Sequence, residues 1–195
     1  MPESVPWMAA FSQQSGFRYE PEPDERWLRV WEPFATLRTP VRYEHALHRT
    51  FDTTAVSIAR FVLAPRTGWA VGDESWIALV QDEGLTGPPA ASTNDTAGVF
   101  GDLSTALGRQ PTGDAAFDNV FASYAESGAA LAAAITPSLR KLTLGWRTAM
   151  HFELKKGGFI LAPITLSPDA RSLAWLISAV AAFSEKAKKA AAGRP

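Results

Sequence analysis

Two of the chain's three histidines stand close together in YEHALH, at His45 and His48. Imidazoles at that spacing raise the prospect of a metal ligand pair or an acid–base site. Whether they can act together depends on the element that carries them. On a helix, positions three apart share a face; on a strand they point to opposite sides. The surrounding VRYEHALHRTFDTTAVSI is rich in β-branched and aromatic residues, which predicts a strand and separates the two rings. His151 could meet one of them across a sheet, with Glu153 or Asp52 as an oxygen ligand, in a set suited to zinc or iron. His45, His48 and His151 are therefore the candidate metal or acid–base residues, and ordinary surface or paired histidines are the preferred reading.

Other chemistry is thinly represented. The chain has no cysteine, so it has no disulfide, thiolate nucleophile or cysteine zinc site, which suits a cytoplasmic protein. Phosphate-cradling GxGxxG and GxxxxGK patterns are absent, as are HExxH, GxSxG and calcium-loop signatures. No cofactor is expected. Asp73, Glu74, Asp82 and Glu83 flank a strand and read as solvated turn residues, while Trp69 and Trp76 read as packing.

Composition narrows the partners. With 195 residues, 46% of them apolar, and seven tryptophans, the chain can fill a sizeable core. A net charge of −1 gives no field to attract a nucleic-acid backbone. The basic cluster KAKK, at Lys186, Lys188 and Lys189, reads as the favourably charged end of a helix, with an anionic surface as the alternative partner. No secretory leader is visible, and the apolar run from Leu173 to Phe183 is far short of the roughly 20 residues that span a bilayer. The expectation is a cytoplasmic protein without a transmembrane segment.

The elements that must position these residues follow from pattern. Ser4 and Pro6 start a short helix ending near Gly16, and Asp24 caps a second carrying Trp27 and Trp31. Two strands span Val41 to Ala64, broken near Thr50 to Thr53, and a third covers Ser75 to Val80. Residues 84–113, rich in Gly, Pro, Ser and Thr, read as a polar loop, with a helical turn near Gly101 to Leu107. Phe117 to Tyr124 reads as a strand. Ser127 and Thr136–Pro137 each open a helix, and Met150, Phe152 and Leu154 alternate with His151, Glu153 and Lys155 into a KKGG hairpin. Ser167 and Pro168 open the last helix, where Leu173, Leu176, Ile177, Val180 and Phe183 form an apolar stripe. Arg60, between Ile58 and Val62, calls for a carboxylate partner.

The pattern predicts a single α+β domain over 1–195, a mainly antiparallel sheet with helices packed on it. It also suggests two related halves, 1–83 and 114–195, joined by the loop. In the order of its features the chain resembles a loose group of uncharacterised bacterial domains of unknown function. The resemblance rests on Gly16, Tyr19, Pro33, Phe34, Phe117, Asp118, Phe121, Thr136, Pro137 and Leu142, and it implies a layout, not a catalytic residue.

The leading functional expectation is a non-enzymatic protein-interaction or regulatory module, binding an unknown protein partner or itself, with Trp7, Met8 and Phe11 as candidate contact residues. The alternative is a small-ligand or metal-binding protein, or an enzyme, with a pocket near the long loop.

Overall fold

The computed structural model describes residues 5–64, 74–94, 107–163 and 166–192. Along the chain run α1 (Pro6–Ser15), β1 (Arg18–Glu20), α2 (Glu25–Arg29), β2 (Arg42–Phe51), β3 (Thr54–Val62), β4 (Glu74–Asp82) and β5 (Ala90–Thr93). They are followed by β6 (Gly108–Arg109), α3 (Ala115–Asp118), β7 (Ala122–Ala125), α4 (Gly128–Ala134), α5 (Pro137–Gly145), β8 (Met150–Lys155), β9 (Gly158–Pro163) and α6 (Ala170–Ala191). The fold is α+β around one antiparallel sheet, ordered β1-β2-β3-β4-β9-β8-β5-β7-β6.

Local signals account for most of these boundaries. Gly16 closes α1 in the left-handed conformation at φ 70°, which glycine adopts without a Cβ penalty. The Asp24 carboxylate accepts the Arg26 amide at 3.1 Å and starts α2. Asp169 accepts the Ser172 amide at 2.8 Å, so it, and not Ser167, caps α6. Gly157, at φ 81°, turns β8 into β9.

Two expectations change. The stretch Phe117 to Tyr124 is not one strand: Asp114 accepts the Phe117 amide at 3.3 Å and caps α3, and only Ala122–Ala125 extends as β7. The polar segment after β4 also contains a buried strand, β5, held between β8 and β7. Its AAST sequence has neither bulk nor alternation to announce it. The helical turn expected near Gly101 lies almost wholly outside the described residues, as do Ser4, Trp69 and Asp73.

Side-chain alternation builds a core on each face. Trp76, Ala78 and Val80 of β4, with Phe159 and Leu161 of β9, join Met8, Leu173, Leu176 and Phe183 on the side covered by α1, α4, α5 and α6. Ile77, Leu79, Ile160 and Ala162 face the other way and meet Leu28, Trp31, Phe34 and Leu37, from α2 and the segment after it. The candidate halves share this sheet through the β4–β9 pairing.

Candidate functional site

The histidines do not converge. A register shift between Glu44 and Leu47 in β2 places His45 at φ 50°, the geometry of a bulge. Its Nδ1 lies 2.8 Å from the Tyr19 hydroxyl, and Tyr19 packs on the α1 side. His48 faces the α2 side: its ring meets Trp27 edge-on at 4.2 Å, with Nδ1 3.1 Å from Ser57 Oγ and Nε2 3.3 Å from Glu20. Burial holds both imidazoles below their ordinary pKa, aided at His45 by the Arg60 charge and opposed at His48 by Glu20. His151 sits on β8, four strands from β2, a separation of about 19 Å. The alternative in which His151 meets another histidine across the sheet therefore does not occur, and paired histidines, the preferred reading, describe all three. Among the described residues, no three His, Asp or Glu side chains gather as a metal site.

His151 instead joins a buried network. The Thr36 hydroxyl is hydrogen-bonded to His151 Nδ1, and His151 Nε2 lies 3.0 Å from Glu153 Oε1. Hydroxyl, imidazole and carboxylate in that order have the connectivity of a catalytic triad. Two features deny it that chemistry. Thr36, His151 and Glu153 are 3%, 0% and 1% exposed, so no substrate carbonyl reaches the hydroxyl. The Ala35 and Thr36 amides, which could hold an oxyanion, are bound to Glu153 Oε1. Burial opposes the charge on Glu153, but the hydrogen bond and charge of His151, the Lys155 charge and the Thr36 amide outweigh it and keep the carboxyl below its ordinary pKa. Lys155 Nζ, 3.6 Å from Glu153 Oε2, also donates to the Trp31 and Pro33 carbonyls at 2.5 and 3.3 Å. The network fastens residues 31–37 onto β8. The alternation expected for this strand holds, yet its polar side is covered, because the segment before β2 folds back over it.

The opposite face carries an open feature. Beside α6, the ends of β3 and β4 and the Phe17 and Phe51 rings enclose a groove of about 450 Å³. Its walls are largely apolar: Val56, Val80, Ile177, Val180 and Ala181, with the two rings 6.5 Å apart at one side. Phe51 is 39% exposed. Polar groups gather at one end, where Lys188 Nζ meets Asp82 Oδ2 at 2.5 Å and Thr54 Oγ1 at 3.4 Å. Burial works against the Asp82 charge, but Lys188, Thr54 and the Gly84 amide prevail and lower its pKa.

This volume is that of a small-molecule site, about 300–1,000 Å³. By contrast, the recess framed by Leu85, Gly87 and Pro88, in the described part of the long loop, offers only about 20 Å³. Another recess, at the β2–β3 turn, is lined largely by polar side chains, and one beside Asn94 and Arg147 mixes them with Val120, Phe121 and Leu144.

The candidate contact residues of α1 serve the interior. Met8 is 1% exposed, and Trp7 and Phe11 are half-buried against the core. Met8 is thus no surface contact, because α1 lies flat on the sheet side it helps cover. Arg60 has the carboxylate partners its position demands, Glu44 and Glu74. The sequence pattern does not reveal the groove, although Ile177 and Val180 belong to the α6 stripe. The available signal was that the stripe widens at Ile177 and Ala181 beyond what a single core-facing row needs.

No family model and no curated protein matches the chain. Among solved structures it is similar to the mycobacterial trehalose monomycolate transport factor A, TtfA, with a TM-score of 0.65 over 92% of each chain and 12% sequence identity. That likeness establishes a shared fold. In the described residues, no helix is long and apolar enough to cross a membrane.

Proposed function

We propose that the protein is a non-enzymatic cytoplasmic module that acts by binding, with the groove beside α6 as its working surface. The observation that carries this reading is an apolar groove of ligand size left open beside α6. Support also comes from chemistry. The histidines are dispersed, and the hydroxyl–imidazole–carboxylate chain is consumed in holding a segment to the sheet. The structural neighbour is named as a transport factor, a role that binding without catalysis would serve.

Because α1 is docked on the core, contact with a partner shifts from Trp7, Met8 and Phe11 to α6. The test is native mass spectrometry of the gently purified full chain beside its Ala181→Phe variant, whose larger side chain enters the groove. Added mass or a bound partner on the wild type, absent from a folded variant, is the expected result. A bare wild type, or equal occupancy of both, overturns the reading.

A further inference from the structure

We propose that the groove holds the hydrocarbon chain of a single-chain amphiphile with an anionic head group. The chain lies against Val56, Ile177 and Val180, and the head sits at Ser184 and Lys188. The inference rests on the groove being the binding surface and adds the class of ligand.

Both walls change character in the same direction. Along α6 the lining passes from Ile177, Val180 and Ala181 to Ser184, Glu185 and Lys188. Along β3 it passes from Val56 to Thr54, whose hydroxyl donates to Asp82 at 2.5 Å. Two independent elements thus grade from apolar to polar in the same direction, and the Phe51 ring, on the strand residue paired with Thr54, borders the polar end. From Ile177 to Lys188 the helix advances about 16 Å, a length suited to one extended alkyl chain. An entirely apolar ligand would leave the polar end unused, and a compact polar ligand would forfeit the apolar walls.

Charge selects the head. Lys186, Lys188 and Lys189 share two carboxylates: Lys188 with Asp82 at 2.5 Å, and Lys189 and Lys186 with Glu185 at 2.8 and 3.9 Å. Among the described lining residues Lys188 is the one cation, Glu185 pairs with Lys186 and Lys189, and Asp82 and Glu83 line the adjoining recess at the β2–β3 turn. Lys188, with its side chain 42% exposed, can take a further acceptor without losing Asp82, and Ser184 adds a hydroxyl beside it.

The experiment is titration calorimetry of the full chain with monomeric dodecanoate, and separately with dodecyltrimethylammonium, which has the same chain and the opposite charge. Saturable single-site binding of dodecanoate is expected, with the cation and the Ala181→Phe variant each weaker by about tenfold or more. Ile177→Asp serves as a second block, and circular dichroism establishes that each variant folds. A lysophosphatidic acid of equal chain length distinguishes a lysolipid from a free fatty acid; groove-dependent binding of either anion supports the proposal.

Equal binding of the cation, or binding indifferent to both groove variants, overturns it. If neither anion binds while the purified wild type still carries groove-dependent mass, the ligand class fails and the binding reading stands. If no bound species of any kind appears, both fail.

Discussion

The two faces of the sheet are covered by different means. On the α2 side, residues 31–37 are fastened by polar groups: Glu153 on the Ala35 and Thr36 amides, Lys155 on the Trp31 and Pro33 carbonyls, and Tyr43 on Glu32 at 2.9 Å. On the α6 side, packing is aromatic, with Phe183 against Phe159 at 4.8 Å, Phe152 at 5.4 Å and Trp146 at 6.3 Å. Buried polar networks reward only complete satisfaction, so the α2 face tolerates little change. Apolar packing is graded, and it can be left unfinished at one end without an unpaired group. The groove is such an unfinished end.

The largest effect should come from Gly158. A Cβ there would run into the Val80 carbonyl and the Trp31 ring, so the α2 face rests directly on the β9 backbone. Overpacking costs about 1–3 kcal/mol and occasionally more, and with a backbone atom as the obstacle Gly158→Ala should fall at the upper end of that range in chemical denaturation. A loss below about 0.5 kcal/mol would mean that this face is not rigidly seated.

Glu153→Gln should cost about 2 kcal/mol. The variant retains an acceptor for the amides of Ala35 and Thr36 but presents a neutral amide to Lys155 and His151. Its destabilisation should leave groove binding intact, since the network lies on the other face. Loss of binding at constant fold would couple the faces and break the contrast between them.

Acid should act on both faces in stages. The folded His45 and His48 have pKa values below the ordinary imidazole value. Their contribution is therefore complete above about pH 6.5 and is lost as pH falls through the folded values, since the unfolded chain takes up protons first. Glu153 and Asp82 are likewise depressed, so theirs is complete above about pH 4 and lost below it. The thermal midpoint should decline in the histidine window and again, more steeply, in the carboxylate window. A midpoint that stays level from about pH 7 to pH 3 would contradict the inferred depression.

Local sequence carried much of this architecture, because hairpins, caps and stripes are short-range features. The β2–β3 turn at Asp52 and Thr53, the α2 cap at Asp24 and the β8–β9 turn were legible. What remained hidden was long-range. Thr36 meets His151 across 115 positions, and no pattern near either residue announces the other. The alternation in β8 showed that His151 and Glu153 share a face, but solvent and a covering segment look alike in that pattern. β5 was missed for a related reason: four small residues fit between β8 and β7 through their neighbours' demands, not through their own propensity. The groove needs Phe17, Val56 and Ile177 from three separate parts of the chain, so only assembly reveals it.

The smallest predicted stability effect gives the sharpest contrast. Ala181 is exposed at the groove, on an α6 stripe already anchored by Leu176, Val180 and Phe183. Ala181→Phe enters open space and displaces no buried partner, so stability should change by no more than about 0.5 kcal/mol while groove occupancy is lost. A residue serving only the fold cannot show that combination, because filling or emptying its site would register first in stability. A destabilisation of about 2 kcal/mol instead would mean that α6 is already packed to completion there, and the difference between the two faces would disappear with the groove.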